Sequence, residues 1–194
     1  MPTPLGTWVS SMDWCVYDLE TDGLLYSVTQ TFCLVIQDEE GTWSYADLDK
    51  CDEDLPVSSL SGSIADGLVR LSNYSLRVGH NIQSYDEKVL QKLYDFDTGL
   101  AEVQDTLILS RMIWPDVKER DFKRVAKDDT FPKKLIGSHS LEAWGHRLND
   151  HKGDVNVVGL TSLSQPVLDY CVQDVALNRK LWDLQCKRMP ELLT

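Results

Sequence analysis

The chain is poor in positive charge and has no long apolar run. Its 194 residues include 19 lysines and arginines against 31 aspartates and glutamates, which gives a formal net charge of −12. Broad, non-specific binding to a nucleic-acid duplex requires a basic surface, so that function is disfavoured. No segment approaches the ~18 consecutive apolar residues of a membrane span. The opening MPTPLGTW lacks the basic and apolar regions of a signal peptide, and no secretion is expected.

Cysteine and histidine patterns typical of structural metal sites are also missing. The five cysteines are odd in number and include no CxxC pair. Three of them fall in predicted strands or a helix, where a thiol behaves as a small hydrophobe; they are Cys15, Cys33 and Cys171. We therefore expect a reduced, cytoplasmic protein. The histidines do not follow a common zinc-ligand spacing; they are His80, His139, His146 and His151.

The apolar content is sufficient for one folded unit. Hydrophobic residues make up 42% of the chain and charged residues 26%, as in ordinary globular domains. We expect residues 1–194 to form a single domain, since this length suits one core and is short for two. A predicted meander of three antiparallel strands is followed by strands and helices in alternation. This order predicts an α/β fold with one mixed sheet flanked by helices.

The predicted boundaries come from apolar periodicity, turn residues and helix caps. A Ser84–Glu87 capping box and a Ser138 cap mark two helix starts, and the polar segment 115–137 is expected to be irregular. The predicted strands cover 12–18, 28–37, 42–46, 76–80 and the first residues of EVQDTLILSRMIW. The predicted helices cover 58–72, Ser84 to about Tyr94, the remainder of EVQDTLILSRMIW, a segment after Ser138, and Pro166 to Arg188.

Three segments far apart in the chain each place a carboxylate on an otherwise apolar face. Asp18 and Glu20 lie two residues apart in a predicted strand, so both project from the same side as Trp14. Asp86 heads a short helix, and Asp174 interrupts the apolar stripe of the last helix. A carboxylate that faces a core is costly unless a positive charge neutralises it. The four acids therefore predict a shared divalent-cation site.

The types of candidate ligand indicate which metal ion the site would bind. Oxygen ligands without histidine suit Mg²⁺ or Mn²⁺ rather than Zn²⁺. Two such ions can activate a water and stabilise the leaving oxygen of a phosphodiester. Tyr170 lies one helical turn before Asp174 on the same face, where its hydroxyl can orient the attacking water together with Glu20. The pattern predicts a metal-dependent nuclease.

The same residues resemble the three motifs of the DEDD exonucleases, in the version that carries a tyrosine. These motifs are Asp18-x-Glu20, Asn81 with Tyr85-Asp86, and Tyr170-x-x-x-Asp174. The sister version has a histidine five residues before the last aspartate, where this chain has Asp169. Intervening segments are similar to the proofreading domain of bacteriophage family-A DNA polymerases. They are DTLILSRMIW, GSHSLEAWGHRL and DYCVQDVALN.

That resemblance implies a ribonuclease H-like fold and stepwise 3′-to-5′ removal of nucleotides with two divalent cations, Mg²⁺ or Mn²⁺. By the same resemblance, Asp18, Glu20 and Asp174 hold the first ion. Asp18 bridges to the second ion, and Asp86 reaches the metals through water.

The resemblance also implies substrate contacts and partners. Thr21 grips the terminal nucleotide near its 3′-hydroxyl, Leu24 contacts the base face, and Asn81 helps to hold the strand. The implied substrate is the 3′ end of single-stranded or frayed DNA. No polymerase segment follows the last motif. If the chain is complete, we expect a free-standing enzyme that can correct a separately encoded polymerase, in the host cytoplasm if a phage encodes it. If the chain is an excised domain, the polymerase segment has been removed.

Several alternatives remain open at this point. The same motifs also serve exoribonucleases, and a related fold can act as a non-catalytic polymerase-binding or nucleic-acid-binding module. Asp18 and Glu20 could mark the end of a strand, and Asp86 could complement the dipole of its helix. The basic segment 116–134 is expected to contact the substrate. Trp114 and Phe131 beside it are candidates for stacking on bases.

Overall fold

A five-stranded mixed sheet forms the centre of the computed structural model, which describes residues 13–127, 130–150 and 161–190. The spatial order is β3-β2-β1-β4-β5. The first three strands pair antiparallel, whereas β4 and β5 join β1 in parallel. The strands are β1 (Trp14–Thr21), β2 (Thr31–Gln37), β3 (Thr42–Tyr45), β4 (Leu76–Gly79) and β5 (Glu102–Asp105). The predicted mixed sheet is confirmed.

Helices follow the strands and cover both faces of the sheet. They are α1 (Ile64–Leu71), α2 (Asp86–Tyr94), α3 (Thr106–Ile113), α4 (Val117–Val125), α5 (Leu141–Arg147) and α6 (Gln165–Arg188). Short 3-10 turns occur at Leu48–Lys50, Val57–Ser59, Thr98–Leu100 and Lys133–Leu135. Within the described ranges, none of these helices combines the length and apolar character that crossing a bilayer requires.

Alternation along β1 decides which side of the sheet the predicted site occupies. Tyr17 and Leu19 pack with α1 and α2, whereas Val16 packs against α6 through Val167 and Val175. Successive side chains of a strand point to opposite faces. The even-numbered positions that follow Val16 along β1 therefore also face α6.

Strand β1 extends beyond its predicted end. It runs to Thr21, so Asp18 and Glu20 both lie within the strand and not at its end. Strand β2 begins at Thr31 and not at residue 28, with an irregularity in the pairing next to Glu20. All seven residues of β2 but the last are buried, because helices cover the sheet on both sides.

Two predicted helix starts were wrong. The helix expected from residue 58 begins at Ile64, because Ser63 and Asp66 form a capping box there. The capping box predicted for α2 is absent: its N-cap is Tyr85, with no capping hydrogen bond from a side chain. Glu87 instead accepts a hydrogen bond of 2.7 Å from the hydroxyl of Tyr17.

The segment predicted to be irregular contains helix α4. Its inward face carries Val117 and Asp121, so the apolar periodicity that identifies an amphipathic helix is broken by a buried acid. Asp121 is 2% exposed and pairs with Arg147 at 2.7 Å, which offsets the cost of its burial. The predicted Ser138 cap was also wrong, since Ser140 caps α5 and Ser138 hydrogen-bonds to Ser140.

A buried ion pair fixes the first turn of α2 against the sheet. Arg77 in β4 is 1% exposed and pairs with Glu87 at 3.2 Å. Its guanidinium also donates to the carbonyl of Thr98 at 2.9 Å. Glu87 directly follows Asp86, so this pair holds the helix start that carries one of the predicted site residues.

We expect Arg77→Met to lower the free energy of unfolding by about 3–5 kcal/mol, because it leaves the Glu87 carboxylate buried without its partner. Replacement of both residues, as Arg77→Met with Glu87→Leu, should recover much of that loss. Urea unfolding monitored by circular dichroism measures both values. Equal destabilisation in the single and double variants would contradict a penalty that arises from an unpaired charge.

Candidate active site

The four predicted acids come together where β1, α2 and α6 meet. Asp18 and Glu20 lie on the side of β1 that faces α6. Asp86 is the first residue of α2, and Asp174 lies near the middle of α6. Packing of β1 against α6 thus brings together carboxylates that are more than 150 positions apart in the sequence.

The electrostatics of Asp18 show how close these groups are. Burial raises the pKa of Asp18 well above its ordinary value, and the neighbouring carboxylates of Asp86, Glu20 and Asp174 raise it further. Each of these charges makes ionisation of the others more costly. A bound cation would therefore lower the electrostatic free energy of the cluster.

Asp86 is the most deeply buried of the four acids, at 4% exposed. Burial raises its pKa to about 7, and the charges of Glu87 and Glu20 act in the same direction. Its own backbone N–H and that of Leu19 donate hydrogen bonds to the carboxylate and partly oppose the shift. Its second oxygen, Oδ1, has no hydrogen-bond partner in the parts of the chain that the structure describes. A buried carboxylate oxygen without a donor is suited to receive a ligand that is not protein.

Tyr170 lies beside the acids, one turn before Asp174 on α6. Burial raises the pKa of the Tyr170 hydroxyl, as do the negative charges of Asp174 and Glu20, and the hydroxyl donates a hydrogen bond to Asp174. The phenol therefore stays protonated across the physiological pH range. It can donate and accept hydrogen bonds, but it is a poor base.

Cys171 is a neighbour of the cluster that the sequence interpretation missed. Its Sγ lies 3.8 Å from Oδ2 of Asp18, and one ligand atom each from Asp18, Glu20 and Cys171 lie within 4.8 Å of one another. The thiol is also part of the apolar core, as predicted. Its spacing of three residues before Asp174 places both on one face of α6, which is the signal that could have identified it.

Asn81 follows β4, in a loop held by Asp105. Its backbone has φ 63°, a left-handed conformation that asparagine tolerates, and its N–H donates to Asp105 at 3.0 Å. Asp105 is 2% exposed and also caps α3. Asn81 lines a cavity of about 570 Å³ together with His80, Arg111 and other residues. The sequence did not identify Asp105, because a residue that caps a helix shows no pattern that indicates a hydrogen bond to a distant loop.

Thr21 and Leu24 lie at the end of β1 and in the loop that follows it. The Thr21 hydroxyl donates to the carbonyl of Gly23 at 3.2 Å and hydrogen-bonds to the hydroxyl of Tyr85. This contact joins the end of β1 to the residue before Asp86. Leu24 is 63% exposed, so its side chain is accessible.

The predicted stacking residues are buried, and the histidines do not form a ligand cluster. Trp114 is 6% exposed and Phe131 is 4% exposed, so neither presents an open ring face to a base. The suggestion that they stack on bases was wrong, since both belong to apolar clusters. In the described ranges, the group of close potential metal ligands contains no histidine. His151 lies outside the described residues.

All five cysteines are free thiols. Cys15, Cys33 and Cys171 are fully buried in the core. Burial raises the pKa of the Cys15 thiol above its ordinary value, which keeps this group protonated and unreactive.

Sequence comparison finds relatives among phage polymerases. The chain is 31% identical over 188 residues to the DNA-directed DNA polymerase of Escherichia phage T7, a match that covers 86% of this chain and 25% of the polymerase. The corresponding polymerase of Enterobacteria phage T3 is 31% identical over 191 residues, with the same shares. The chain thus spans about a quarter of the length of these relatives. No protein-family model matches it.

Fold comparison finds several nucleases. NrnC of Brucella melitensis bound to pGG has a TM-score of 0.59 and 19% identity, over 93% of this chain and 74% of that protein. The EXO domain of Nibbler from Aedes aegypti has a TM-score of 0.57 and 10% identity, over 94% and 81%. RNase D of Escherichia coli, an exoribonuclease involved in structured RNA processing, has a TM-score of 0.56 and 12% identity, over 94% and 41%.

The order of the strands and the class of these structural neighbours define a ribonuclease H-like exonuclease fold, which confirms the predicted fold. Together with the polymerase match, these neighbours confirm the predicted resemblance to the DEDD exonucleases. The chain is related to the segment that it matches in the DNA polymerases of phages T7 and T3.

Without divalent cations, we expect the free energy of unfolding to fall as the pH rises from about 4 to about 7. The folded protein holds a proton on Asp86 up to a pKa of about 7, whereas the unfolded chain releases it near its ordinary value of 3.8. Folding therefore takes up a proton within this window. Urea unfolding in EDTA, with Asp86→Asn as the reference, measures this contribution.

The amide of Asp86→Asn cannot ionise, so this variant should show a weaker loss of stability over the same pH range. Identical pH dependence in the two proteins would show that Asp86 does not carry the shift. Addition of Mg²⁺ at pH 7.5 should stabilise the original protein more than the variant, because cations favour the ionised cluster.

Proposed function

We propose that the protein is a metal-dependent 3′-to-5′ exonuclease that acts on the 3′ end of single-stranded or frayed DNA. One observation carries this proposal: four carboxylates converge beside Tyr170, and each makes the ionisation of the others more costly. They are those of Asp18, Glu20, Asp86 and Asp174. A structural role does not account for four acids that destabilise one another. The relationship to phage DNA polymerases supports a reaction on DNA.

The residues fit divalent cations. Oδ1 of Asp86 is buried without a donor among the described residues, and the ligand set consists mainly of carboxylate oxygens. Such a set suits Mg²⁺ or Mn²⁺. Asp18, Glu20 and Asp174 would hold one ion, Asp18 would also serve a second, and Asp86 would act through water. When bound, these cations would neutralise the cluster and stabilise negative charge on the phosphodiester.

The chain's own groups then position the reactants. Tyr170, which remains protonated, orients a water through its hydroxyl, and Glu20 accepts a hydrogen bond from the same water. The water oxygen forms a bond to phosphorus, and the bond from phosphorus to the 3′ oxygen of the penultimate nucleotide breaks. The attacking water gives up one proton to solvent, and the leaving 3′ oxygen takes up one proton from solvent to become the new 3′-hydroxyl. The product is a nucleoside 5′-monophosphate.

Three further residues are proposed to hold the strand. The accessible side chain of Leu24 would pack on the face of the terminal base, and the Thr21 backbone would lie near the 3′-hydroxyl. Asn81, in its cavity beside Arg111, would bind the strand behind the last nucleotide. A paired end must first unstack to reach such a site, which would favour frayed or mismatched ends.

The relationship to phage polymerases also supports a proposal about the biological setting. We propose that residues 1–194 act as one exonuclease unit that removes misincorporated nucleotides in trans for a separately encoded DNA polymerase. If a phage encodes the protein, this work takes place in the host cytoplasm. The net charge of −12 disfavours tight binding to intact duplex, so cleavage should be confined to single strands and frayed ends.

A gel assay with matched DNA and RNA single strands, labelled at the 5′ end, tests this function. In Mg²⁺ or Mn²⁺ we expect a ladder of DNA products shortened from the 3′ end, and no products in EDTA. Asp174→Ala should abolish the ladder and leave the fold as stable or more stable, because it removes one of four mutually repelling acids. Asp169→Ala is the matched control, since this exposed acid lies on the same helix.

Other results of the same assay would distinguish the DNA exonuclease from an exoribonuclease and from a non-catalytic module. A ladder from RNA alone would identify an exoribonuclease and overturn the assignment to DNA. No products from either strand, with a folded protein that binds Mn²⁺, would favour a non-catalytic module. Unchanged turnover by Asp174→Ala would contradict the mechanism.

We expect Tyr170→Phe to slow hydrolysis by about 10-fold to 100-fold without ending it, because the ring remains and only the hydroxyl that orients the water is lost. Tyr74→Phe is the matched control, since the Tyr74 hydroxyl also donates to a carboxylate, that of Asp38, on another part of the molecule. Single-turnover rates measure both variants. An unaltered rate for Tyr170→Phe would mean that this tyrosine has only a packing role.

A further inference from the structure

We propose that a pocket lined by four arginines binds backbone phosphates of the substrate strand, several nucleotides away from the 3′ end. This inference rests on the proposed function and adds a second binding site to it. The pocket has a volume of about 200 Å³ and lies where α4, α5 and the ends of α3 and α6 meet. Its arginines are Arg120, Arg124, Arg147 and Arg188.

The pocket concentrates positive charge in a strongly acidic protein. Among the residues that the structure describes, two carboxylates pair with these arginines: Asp121 with Arg147 at 2.7 Å, and Asp116 with Arg120 at 2.9 Å. Arg188 is exposed and forms no ion pair with a described residue. Four guanidiniums against two carboxylates leave a net positive site on a chain of net charge −12.

The donors of the pocket suit an oxyanion. Arg124 donates to the backbone carbonyls of His146 and Arg147 at 3.1 Å each, which orders its guanidinium without neutralising it. Nε1 of Trp144 and Nη1 of Arg147 are buried and lack acceptors in the described part of the chain. Planar guanidiniums match the oxygens of a phosphate, and contacts between ionised partners are stronger than neutral ones.

The position of the pocket favours a nucleic-acid strand over another anion. Helix α6 connects it to the acids, because Leu184 and Arg188 line the pocket and Asp174 lies on the same helix. At about 1.5 Å per residue, these two residues lie roughly 15–21 Å beyond Asp174 along this helix. Phosphates lie about 3.4 Å apart along a stacked strand. A strand whose 3′ end lies at the acids would therefore reach the pocket roughly four to six nucleotides further on.

This geometry makes binding depend on strand length. A trinucleotide held at the acids would fall short of the pocket, whereas a 12-mer would fill both sites. We expect the pair Arg120→Gln with Arg188→Gln to weaken binding of the 12-mer several-fold and to leave binding of the trinucleotide unchanged. The slope of log affinity against log salt for the 12-mer should become less steep by about 0.7 for each lost phosphate contact.

The matched control is the pair Lys118→Gln with Lys187→Gln, which removes the same charge from the same two helices but does not line the pocket. Fluorescence anisotropy of 5′-labelled oligothymidylates, in Ca²⁺ to limit cleavage, measures affinity. The kcat/KM values in Mg²⁺ for both lengths should follow the same pattern. Circular dichroism melts establish that all variants are folded.

Three outcomes would overturn the proposal: equal weakening by the two charge-matched pairs, equal weakening for both strand lengths, or displacement of the 12-mer by polyglutamate as effectively as by unlabelled DNA. The last outcome would identify the pocket as a site for an acidic protein segment. Because anisotropy needs no turnover, a protein that fails to cleave but binds with the expected length dependence would overturn the exonuclease function and leave the pocket assignment intact.

Discussion

Repulsion among four carboxylates is the constraint on which the arrangement of this protein depends. Asp18, Glu20, Asp86 and Asp174 come from a strand and two helices, and each raises the cost of ionising its neighbours. The four carboxylates do not attract one another, so the arrangement of the cluster depends on its surroundings. It persists because the surrounding packing is apolar and dense: Val16 of β1 meets Val167 and Val175 of α6 just below the acids. Hydrophobic burial on this scale outweighs a local electrostatic penalty.

The opposite face of the sheet secures the remaining acid. Asp86 heads a helix that lacks a side-chain cap, and the next residue, Glu87, is tied to Tyr17 and Arg77. A buried ion pair adds little net stability but specifies one geometry, because any shift of α2 would leave a charge unpaired. The ion pair thereby fixes the orientation of the first turn of α2, which keeps the charge of Asp86 close to that of Asp18. Rigid placement of this kind is what a binding site for small cations requires.

Charge is distributed unevenly over the molecule. The acids of the candidate active site and an overall charge of −12 would repel a polyanionic strand. Bound cations reverse the local field at the acids, but they do not act beyond a short range. The arginines around the ends of α4, α5 and α6 place positive charge where a longer strand would need it. Three of the four arginines are held by contacts within the fold. Their side chains therefore lose less conformational entropy when a ligand binds.

The sequence by itself determined the fold class and the catalytic candidates. Two-residue spacing on a strand puts Asp18 and Glu20 on one side, and four-residue spacing on a helix aligns Tyr170 with Asp174; both follow from local periodicity. Helix α4 escaped prediction because its buried position is Asp121, whose partner Arg147 is distant in sequence. Only the tertiary structure placed Cys171 beside Asp18, joined Asp105 to Asn81 and gathered the arginines. These contacts join residues from separate elements, and local periodicity carries no information about which elements pack together.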